Sequence, residues 1–285
     1  MLPLLAARAE ALLCPANLAP VAARRVVVVI HDAAALREPG WYSRPYAAFQ
    51  RRILPAVARR AAHVVTVSEF SRREIVELLG PAPERVSVIP GGVGEAFTPA
   101  ADAQAARARL GLGRPYVLCV AAATARKNLR ALVPAARALA REGVEVLVAG
   151  AGRPQLAAED GLEDLRRLGH VDDALLPGLY AGAEVAVVPS LHEGFGLTAL
   201  EAMACGTPVL AARAGALPET CGNAAMLVEP EPAAIAAAIA GLLSDAAARE
   251  RLRAAGLERA RRFSWDATAR AVDRLLSGGA ARPSA

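Results

Sequence analysis

Short runs of β-branched residues alternate along the chain with longer segments in which apolar residues recur at helical spacing. Short apolar runs are typical of buried strands, and longer periodic segments are typical of amphipathic helices. In the first third of the sequence, this pattern predicts strands at residues 26–30, 63–67 and 86–89 and helices at 46–60 and 68–79. Ser68 suits the N-cap of the second helix, because its side-chain oxygen can accept from the free N–H groups of the first turn.

The same alternation continues to the C-terminus. It predicts strands at residues 116–120, 144–149, 185–189 and 209–211, a further apolar segment at 224–228, and helices at 129–142, 162–168, 174–181, 197–205, 232–244 and beyond. Continuous apolar strands that alternate with helices indicate an α/β protein whose parallel sheets are covered on both faces.

A segment rich in Gly and Pro, residues 90–99, interrupts the alternation and predicts a domain boundary. We expect a partial N-terminal domain at residues 1–98, a C-terminal domain at 99–262, and a helical segment at 263–285 that packs back toward the first domain. The second domain has enough strands for a complete doubly wound sheet. The first has three or four strands and little chain to cover them, so we expect it to be incomplete.

Composition excludes several classes of protein. The 285 residues are 54% hydrophobic and 21% charged, which rules out a disordered chain. No stretch approaches the ~18 consecutive apolar residues of a membrane span. The net charge of +5 suits an anionic ligand or a weak attraction to acidic lipids. It is not concentrated in a dense basic block, so nucleic acid is not an expected partner.

The four cysteines, Cys14, Cys119, Cys205 and Cys221, lack the Cys-x-x-Cys spacing of a zinc or redox site. Scattered thiols of this kind indicate a reduced, cytoplasmic protein. No cluster of potential ligands has metal-binding spacing, so no metal is expected.

Residues 189–209, with the sequence PSLHEGFGLTALEAMACGTPV, carry the most information about chemistry. Gly194 and Gly196 let backbone N–H groups turn outward, and the helix that begins near Leu197 points its positive end at the same place. Together these features favour a bound phosphate. Glu193 and Glu201 would repel a phosphate and suit hydroxyl groups instead. A phosphate site beside hydroxyl acceptors predicts a nucleotide sugar as the ligand.

The two glutamates, separated by seven residues within PSxxEGFGLxxLEAMAxGxPV, resemble the donor site of the retaining glycosyltransferases of family 4, which have the GT-B fold. Other motifs follow in the family's order: Ile30-His31-Asp32, Val67-Ser68-Glu69-Phe70-Ser71, Val88-Ile89-Pro90, Arg126-Lys127-Asn128, Gly169-His170-Val171, Leu217-Pro218-Glu219 and Phe263-Ser264-Trp265. The combination is most similar to the bacterial mannosyltransferases of polysaccharide assembly. It implies two Rossmann-like parallel-sheet domains, the N-terminal one incomplete.

The resemblance implies a role for each matching residue. Lys127, with Arg126 beside it, matches the basic residue that contacts the donor diphosphate. Glu193 matches the glutamate that faces the transferred sugar, and His31 matches the histidine on the acceptor side near the reacting carbon. With Lys127, these two form the expected catalytic set.

The remaining matches concern the nucleotide. Glu201 matches the glutamate that holds the ribose. The backbone segment expected to lie over the phosphates consists of Gly194, Phe195, Gly196 and Leu197. Plainer interpretations exist for the same residues: the glutamates as surface acids, Arg126 and Lys127 as solvated loop charges, and His31 as a core histidine at a strand end.

The chain departs from the family pattern at three places. Three alanines, 121–123, stand where family members usually have Gly followed by Arg or a hydroxyl residue, so one phosphate contact is in doubt. The boundary motif reads PGGVG at residues 90–94 instead of the common PNGVD. We also find no counterpart of the family's first strand and Gly-rich loop, which suggests a shortened N-terminal part.

Together with this resemblance, these observations imply a cytoplasmic retaining glycosyltransferase without a cofactor. It would move a hexose, with GDP-mannose the expected donor, to a glycan or lipid-linked acceptor, in peripheral contact with the inner membrane face. Two alternatives stay open. One is an inactive nucleotide-sugar-binding remnant or interaction subunit, favoured by the alanines at 121–123 and the shortened start. The other is a nucleotide-sugar epimerase of the same architecture.

Overall fold

Two parallel β-sheets, one in each of two units, organise the chain in this computed structural model, which describes residues 11–23, 25–152, 156 and 159–277. Unit 1 runs to Gly92 and takes in the helix from Trp265, whereas unit 2 runs from Val93 to Ser264. The prediction of two parallel-sheet α/β domains is confirmed.

Unit 1 contains a four-stranded sheet in the order β1-β2-β3-β4. Its strands are β1 Leu12–Cys14, β2 Val26–Val29, β3 His63–Thr66 and β4 Val86–Val88. Its first helices are α1 Ala34–Arg37, α2 Arg44–Arg60 and α3 Glu69–Leu79, with 3-10 turns at Pro39–Trp41 and Pro83–Arg85. The Ser68 hydroxyl accepts from the Ser71 backbone N–H and caps α3, as expected.

Helices cover both faces of the unit 1 sheet, because alternate valines of each strand point to opposite sides. On one face, Val28 and Val64 pack against Leu54 of α2 and Ile75 of α3. On the other face, Val27 and Val65 pack against apolar residues of the C-terminal helix Trp265–Ser277. That helix therefore completes the core of unit 1.

The expectation that residues 26–30 form the first strand is wrong. Strand β1 precedes them and pairs in parallel with β2, placing Leu13 beside Val27. On its other side β2 pairs with β3, placing Val27 beside His63. The pattern missed β1 because its three residues are too few to show a period.

Unit 2 contains a six-stranded sheet in the order β10-β9-β8-β5-β6-β7. Its strands are β5 Tyr116–Val120, β6 Glu145–Ala149, β7 Arg166–Gly169, β8 Val185–Val188, β9 Val209–Ala212 and β10 Met226–Val228. Its helices are α4 Ala103–Leu110, α5 Val133–Leu139, α6 Leu176–Ala181, α7 Leu197–Ala204, α8 Leu217–Cys221, α9 Pro232–Ser244 and α10 Ala246–Ala260. It also has 3-10 turns at Ala125–Lys127, Leu129–Leu132 and Ala140–Glu142. The last helix of the chain, α11 Trp265–Ser277, belongs to unit 1.

The strand order reverses between β5 and β8 in the middle of this sheet. From β5 the chain proceeds outward through β6 and β7, and from β8 it proceeds the other way through β9 and β10. Loops that leave the carboxyl ends of two strands at such a switch point diverge and open a crevice. The fold therefore brings the loops after β5 and β8 together at the usual ligand-binding edge.

Two helices predicted from the sequence of unit 2 differ from the secondary structure that is observed. Residues 162–168 were expected to be helical, but β7 occupies Arg166–Gly169 and pairs with the end of β6. Leu162 and Leu165 are both buried in the core, so their helix-like spacing reflects a turn that anchors an edge strand. The expected helix at 129–142 is divided into α5 and two 3-10 turns, and Pro134 lies in the first turn of α5.

Within the described residues, no single helix is both long enough and apolar enough to cross a membrane. Helices α9 and α10 meet such a criterion only together, and they are bent by 99° at their junction. All four cysteines are buried free thiols.

Candidate functional site

A cleft of about 580 Å³ opens at the carboxyl edge of the unit 2 sheet. The loops after β5 and β6, the start of α6 and the first turn of α7 form its wall. Its polar side chains among the described residues are Thr124, Arg126, Lys127, His170, Asp173 and Thr198. The cleft thus lies where the switch point predicts a ligand.

The 3-10 turn Ala125–Lys127 presents two cations to this cleft. It follows β5 and closes through a hydrogen bond from the Lys127 backbone N–H to the Thr124 carbonyl, at 2.8 Å. Asn128, with a φ of 55°, donates from Nδ2 to the carbonyls of Pro189, at 3.1 Å, and Pro230, at 2.9 Å. These bonds tie the cationic turn to the end of β8. Sequence reasoning assigned Asn128 no role, because both acceptors lie far along the chain.

Glu193 lies between the two cations and is 7% exposed. Lys127 Nζ donates to Glu193 Oε1 at 2.5 Å, and Arg126 lies 3.4 Å from Oε2. The Ser190 hydroxyl also donates to Oε1, at 2.7 Å. Burial opposes ionisation, but the attraction of Lys127 and then Arg126, with their hydrogen bonds, lowers the pKa of Glu193 below its ordinary value. Glu193 is therefore a buried carboxylate.

The side chains of Lys127 and Arg126 are only 15% and 17% exposed. The interpretation of these residues as solvated loop charges is therefore wrong. The structure brings together three of the predicted site residues, Lys127, Arg126 and Glu193, in one ion-pair cluster. Sequence reasoning missed Ser190 as a partner, although it stands three residues before Glu193 in the motif it singled out.

The segment Gly194 to Leu197 leads directly into α7. Gly196 forms the N-cap of α7 with a φ of 99°, and a Cβ there would lie 2.8 Å from Leu217 Cδ2. Glycine is therefore required for both backbone conformation and space. The Phe195 ring packs edge-on against Phe263, with centroids 5.7 Å apart, and Leu197 is 37% exposed. The start of α7 provides free N–H groups next to the cleft residue Thr198.

The loop after β9 supports the Glu193 segment from behind. The Ala216 backbone N–H donates to the Glu193 carbonyl at 2.8 Å. Gly215, with a φ of 58°, approaches so closely that a Cβ would lie 2.5 Å from the Glu193 nitrogen. This contact joins two loops of the sheet edge and limits where Glu193 can lie.

Glu201 lies on α7, one turn beyond Thr198. It is half-buried and accepts a hydrogen bond from the Tyr180 hydroxyl to Oε2 at 3.2 Å. Burial, and next Asp173, raise the pKa of Glu201 to about 7, while the hydrogen bond from Tyr180 lowers it. The two glutamates of the motif therefore have opposite electrostatic settings, although both were expected to contact hydroxyl groups.

His31 lies in unit 1, just after β2. Its backbone N–H donates to Asn17 Oδ1 at 2.9 Å, and its Nε2 lies 3.2 Å from the Pro15 carbonyl. The side chain is exposed, so its interpretation as a core histidine is wrong. Of the predicted site residues, His31 alone belongs to unit 1.

Among the residues that the structure describes, no group of three or more His, Cys, Asp or Glu side chains is placed to hold a metal ion. The site's positive charge comes from Arg126, Lys127 and the N-terminus of α7.

Two family models match most of the chain. The model described as Glycosyltransferase Family 4 matches residues 5–97, and the model described as Glycosyl transferases group 1 matches residues 114–245. The chain is 32% identical over 257 residues to O-antigen chain mannosyltransferase B of Escherichia coli, covering 85% of this chain and 67% of the relative. It is 40% identical over 245 residues to D-inositol 3-phosphate glycosyltransferase of Geodermatophilus obscurus, covering 78% and 53%. It therefore spans little more than half the length of the second relative.

Solved structures share the two-unit fold. Sucrose-phosphate synthase from Thermosynechococcus elongatus matches with a TM-score of 0.73 and 29% identity, covering 89% of this chain and 67% of that one. Anabaena Alr3699/HepE in complex with UDP-glucose matches with a TM-score of 0.74 and 23% identity, covering 89% and 72%. At that identity the second match concerns the fold alone.

Proposed function

Because this chain belongs to the group 1 and family 4 glycosyltransferases, we propose that it transfers a hexose from a nucleoside-diphosphate sugar to an acceptor hydroxyl with retention at the anomeric carbon. The observation that carries this proposal is the cluster of Arg126, Lys127 and Glu193 at the switch point of the unit 2 sheet. Two cations beside the start of a helix suit a diphosphate, and a buried carboxylate between them suits sugar hydroxyls.

In the proposed reaction the bond between the anomeric carbon and the diphosphate oxygen breaks through an oxocarbenium-like transition state. The electron pair goes to the diphosphate, where Lys127, Arg126 and the N–H groups of residues 194–197 stabilise the growing charge. The acceptor oxygen attacks from the same face, and its proton passes to the departing phosphate oxygen.

Each remaining residue has a proposed part in this reaction. Glu193 orients the sugar through its hydroxyl groups, and Glu201 holds the ribose. His31 orients the acceptor hydroxyl or polarises the donor sugar, as the family resemblance implies. In the structure, Lys127 is paired with Glu193. When the diphosphate binds, it attracts the Lys127 ammonium group, and the Glu193 carboxylate then becomes available to accept hydrogen bonds from the sugar.

We propose GDP-mannose as the donor and a glycan or lipid-linked acceptor. The support is the similarity to O-antigen chain mannosyltransferase B of Escherichia coli. The Anabaena neighbour holds UDP-glucose instead, so the base and the sugar both need a direct test.

The test uses an unusual feature of the composition: Lys127 is the chain's only lysine. A sample labelled with 13C-lysine therefore gives a single lysine spectrum, which reports on the proposed diphosphate contact. We expect this signal to shift in a saturable manner with GDP and less with UDP, ADP or guanosine. An unmoved signal at millimolar nucleoside diphosphate would overturn the proposed site.

Turnover separates the remaining alternatives. Release of GDP from GDP-mannose with acceptor present, lost in Lys127→Ala and kept in the surface control Arg141→Ala, supports a transferase. Nucleotide binding without release supports the inactive remnant or interaction subunit. Conversion of the donor to an isomer with the diphosphate still attached supports the epimerase.

We further propose that unit 1 makes the peripheral contact with an anionic membrane through α2. This helix carries five arginines and no acidic residue, and Arg44, Arg51 and Arg52 are exposed beside Phe49, which is 50% exposed. A basic helix with an exposed aromatic residue is typical of attachment to a membrane surface.

Sedimentation with vesicles tests the membrane contact. The full chain should pellet with phosphatidylglycerol vesicles at low salt and stay in solution with phosphatidylcholine vesicles. Replacing Arg44, Arg51 and Arg52 by Ala should abolish pelleting. The control replaces Arg114, Arg141 and Arg251, three exposed arginines of unit 2, and removes the same charge. Equal loss in both triple variants would point to net charge alone and contradict a role for α2.

A further inference from the structure

The hydrogen bond between Tyr180 and Glu201 joins two residues on different helices. Tyr180 lies on α6 and is 1% exposed, and its hydroxyl donates to Glu201 Oε2 at 3.2 Å. The wall of the cleft runs close to both helices, through Leu176 of α6 and Thr198 of α7. Sequence reasoning gave Tyr180 no role, since the two residues lie 21 positions apart.

Tyr180 is held in place from both sides. Its carbonyl accepts from the Thr207 hydroxyl at 2.7 Å, which ties α6 to the turn after α7. Its ring packs against Phe97, with centroids 6.0 Å apart. Burial, and next the Glu201 carboxylate, raise the pKa of the phenol well above its ordinary value. The hydroxyl therefore keeps its proton near neutral pH and is available as a donor.

Glu201 has no salt bridge to any described residue, in contrast to Glu193. The titratable groups that act on it are Tyr180 on α6, Asp173 in the loop before α6, and Cys205 at the end of α7. On α10, which also packs against α7, Arg259 is engaged with the carbonyls of Glu219 and Thr220. A half-buried carboxylate without a cation depends on neutral hydrogen-bond donors to stabilise its charged form.

We propose that Tyr180 is a positioning residue for nucleotide binding, whose hydroxyl favours the charged form of Glu201 and turns the carboxylate so that Oε1 accepts from the ligand. The inference rests on the proposed function, in which Glu201 holds the ribose. Oε2 is engaged by Tyr180, and Oε1 has no hydrogen-bond partner among the described residues. A ribose hydroxyl donates best to a charged acceptor, so the ionised form of Glu201 binds the nucleotide more tightly.

The first experiment needs no ligand. In the full chain labelled with 13C-glutamate, the titration of Glu201 is followed by NMR, and the signal is assigned by its loss in Glu201→Gln. Tyr180→Phe should move the Glu201 titration to higher pH, because a donor to the charged form is lost. The matched control is Tyr116→Phe, which removes another buried hydroxyl of unit 2, one that donates to the Leu179 carbonyl at 2.8 Å. An unchanged Glu201 titration in Tyr180→Phe would overturn the proposal.

The second experiment measures nucleotide affinity against pH by calorimetry, with GDP and with UDP. Tyr180→Phe should raise the Kd about fivefold to tenfold at pH 7, since a hydrogen bond to a charged group is lost, and raising the pH should restore most of the affinity. Tyr116→Phe should lack this pH-dependent rescue. In the Glu201→Gln background, Tyr180→Phe should have no further pH-dependent effect.

The outcomes of the two experiments are distinguishable. A shifted Glu201 titration in a protein that binds neither nucleotide would refute the proposed function while preserving the electrostatic role of Tyr180. Nucleotide binding with the same pH profile in wild type and Tyr180→Phe would refute the positioning role while preserving the proposed function.

Discussion

Lys127 and Glu193 form a buried ion pair whose partners lie 66 positions apart in the sequence. Removing one member of such a pair leaves an uncompensated charge, whereas removing both relieves the desolvation penalty as well. The two residues should therefore be coupled in stability as well as in ligand binding. Arg126 stays beside Glu193 in the Lys127 variants and limits the damage.

We expect Lys127→Met or Glu193→Gln alone to lower the free energy of unfolding by about 3 kcal/mol, as when other buried pairs are broken. The double variant should lose less than the sum of the two. Urea denaturation followed by circular dichroism measures all three values. Strictly additive losses would contradict the coupling that the direct contact between Lys127 and Glu193 indicates.

Glu201 makes stability depend on pH in the opposite sense to Glu193. Its pKa of about 7 lies above the ordinary glutamate value, so the folded state binds this proton more tightly than the unfolded state. The contribution of Glu201 to the free energy of unfolding is fully present below the pKa that this residue has in the unfolded state. It is lost as the pH rises toward 7, by up to about 3 kcal/mol. For Glu193, with its lowered pKa, stability is lost only as the pH falls into the acid range.

The Glu201 contribution is measured as the difference in unfolding free energy between pH 5 and pH 7.5, in wild type and in Glu201→Gln. We expect wild type to lose more stability over this interval than the variant, in which the group cannot titrate. Parallel pH profiles would show that the Glu201 pKa is close to its ordinary value.

At the scale of elements, three loops at one edge of the sheet form the site together. The loop after β5 carries the cations, the loop after β8 carries Glu193, and the loop after β9 presses Gly215 against the Glu193 backbone.

Gly215→Ala tests this support against a matched control. Gly215 and Gly111 share a left-handed φ, 58° and 63°, but a Cβ at 111 meets nothing within 4 Å. Both substitutions should cost about 1 kcal/mol in backbone strain. Gly215→Ala should cost about 1–3 kcal/mol more, because its Cβ overlaps the Glu193 backbone, and it should also shift the lysine signal of Lys127. Equal unfolding energies for the two variants would show that the loops do not brace each other.

The whole molecule combines two parallel sheets of unequal size. Among the residues that the structure describes, unit 1 has four strands and depends on α11 to cover one face, whereas unit 2 has six strands with helices on both faces. Both tryptophans, Trp41 and Trp265, belong to unit 1, and the only lysine belongs to unit 2. Fluorescence and lysine NMR therefore report on the two units separately.

We expect unit 1 to unfold at a lower urea concentration than unit 2, because its smaller sheet buries less apolar surface. Tryptophan fluorescence of the full chain should change first, and the lysine signal should change later. Adding a nucleoside diphosphate should move only the later transition, since ligand binding stabilises the unit that holds it. Coincident transitions at all ligand concentrations would contradict independent unfolding.

Much of the architecture could be predicted from the sequence alone. The apolar runs of β5, β6, β8 and β9 were located nearly to the residue, as was the start of α7 after Gly196. These features are local: a buried parallel strand needs a continuous apolar run, and a strand-to-helix turn at this position needs glycine. The motifs they carry identified the family, and the comparisons confirm it.

The tertiary structure decided what depends on distant partners. Strand β7 exists because β6 offers an unpaired edge, and β1 exists because β2 does. Sequence alone indicated two glutamates of similar chemistry. Folding placed two cations beside Glu193, which lower its pKa. Among the described residues it gave Glu201 a tyrosine hydroxyl and no cation, and burial raises the pKa of Glu201, because charge and burial depend on which residues the fold brings together.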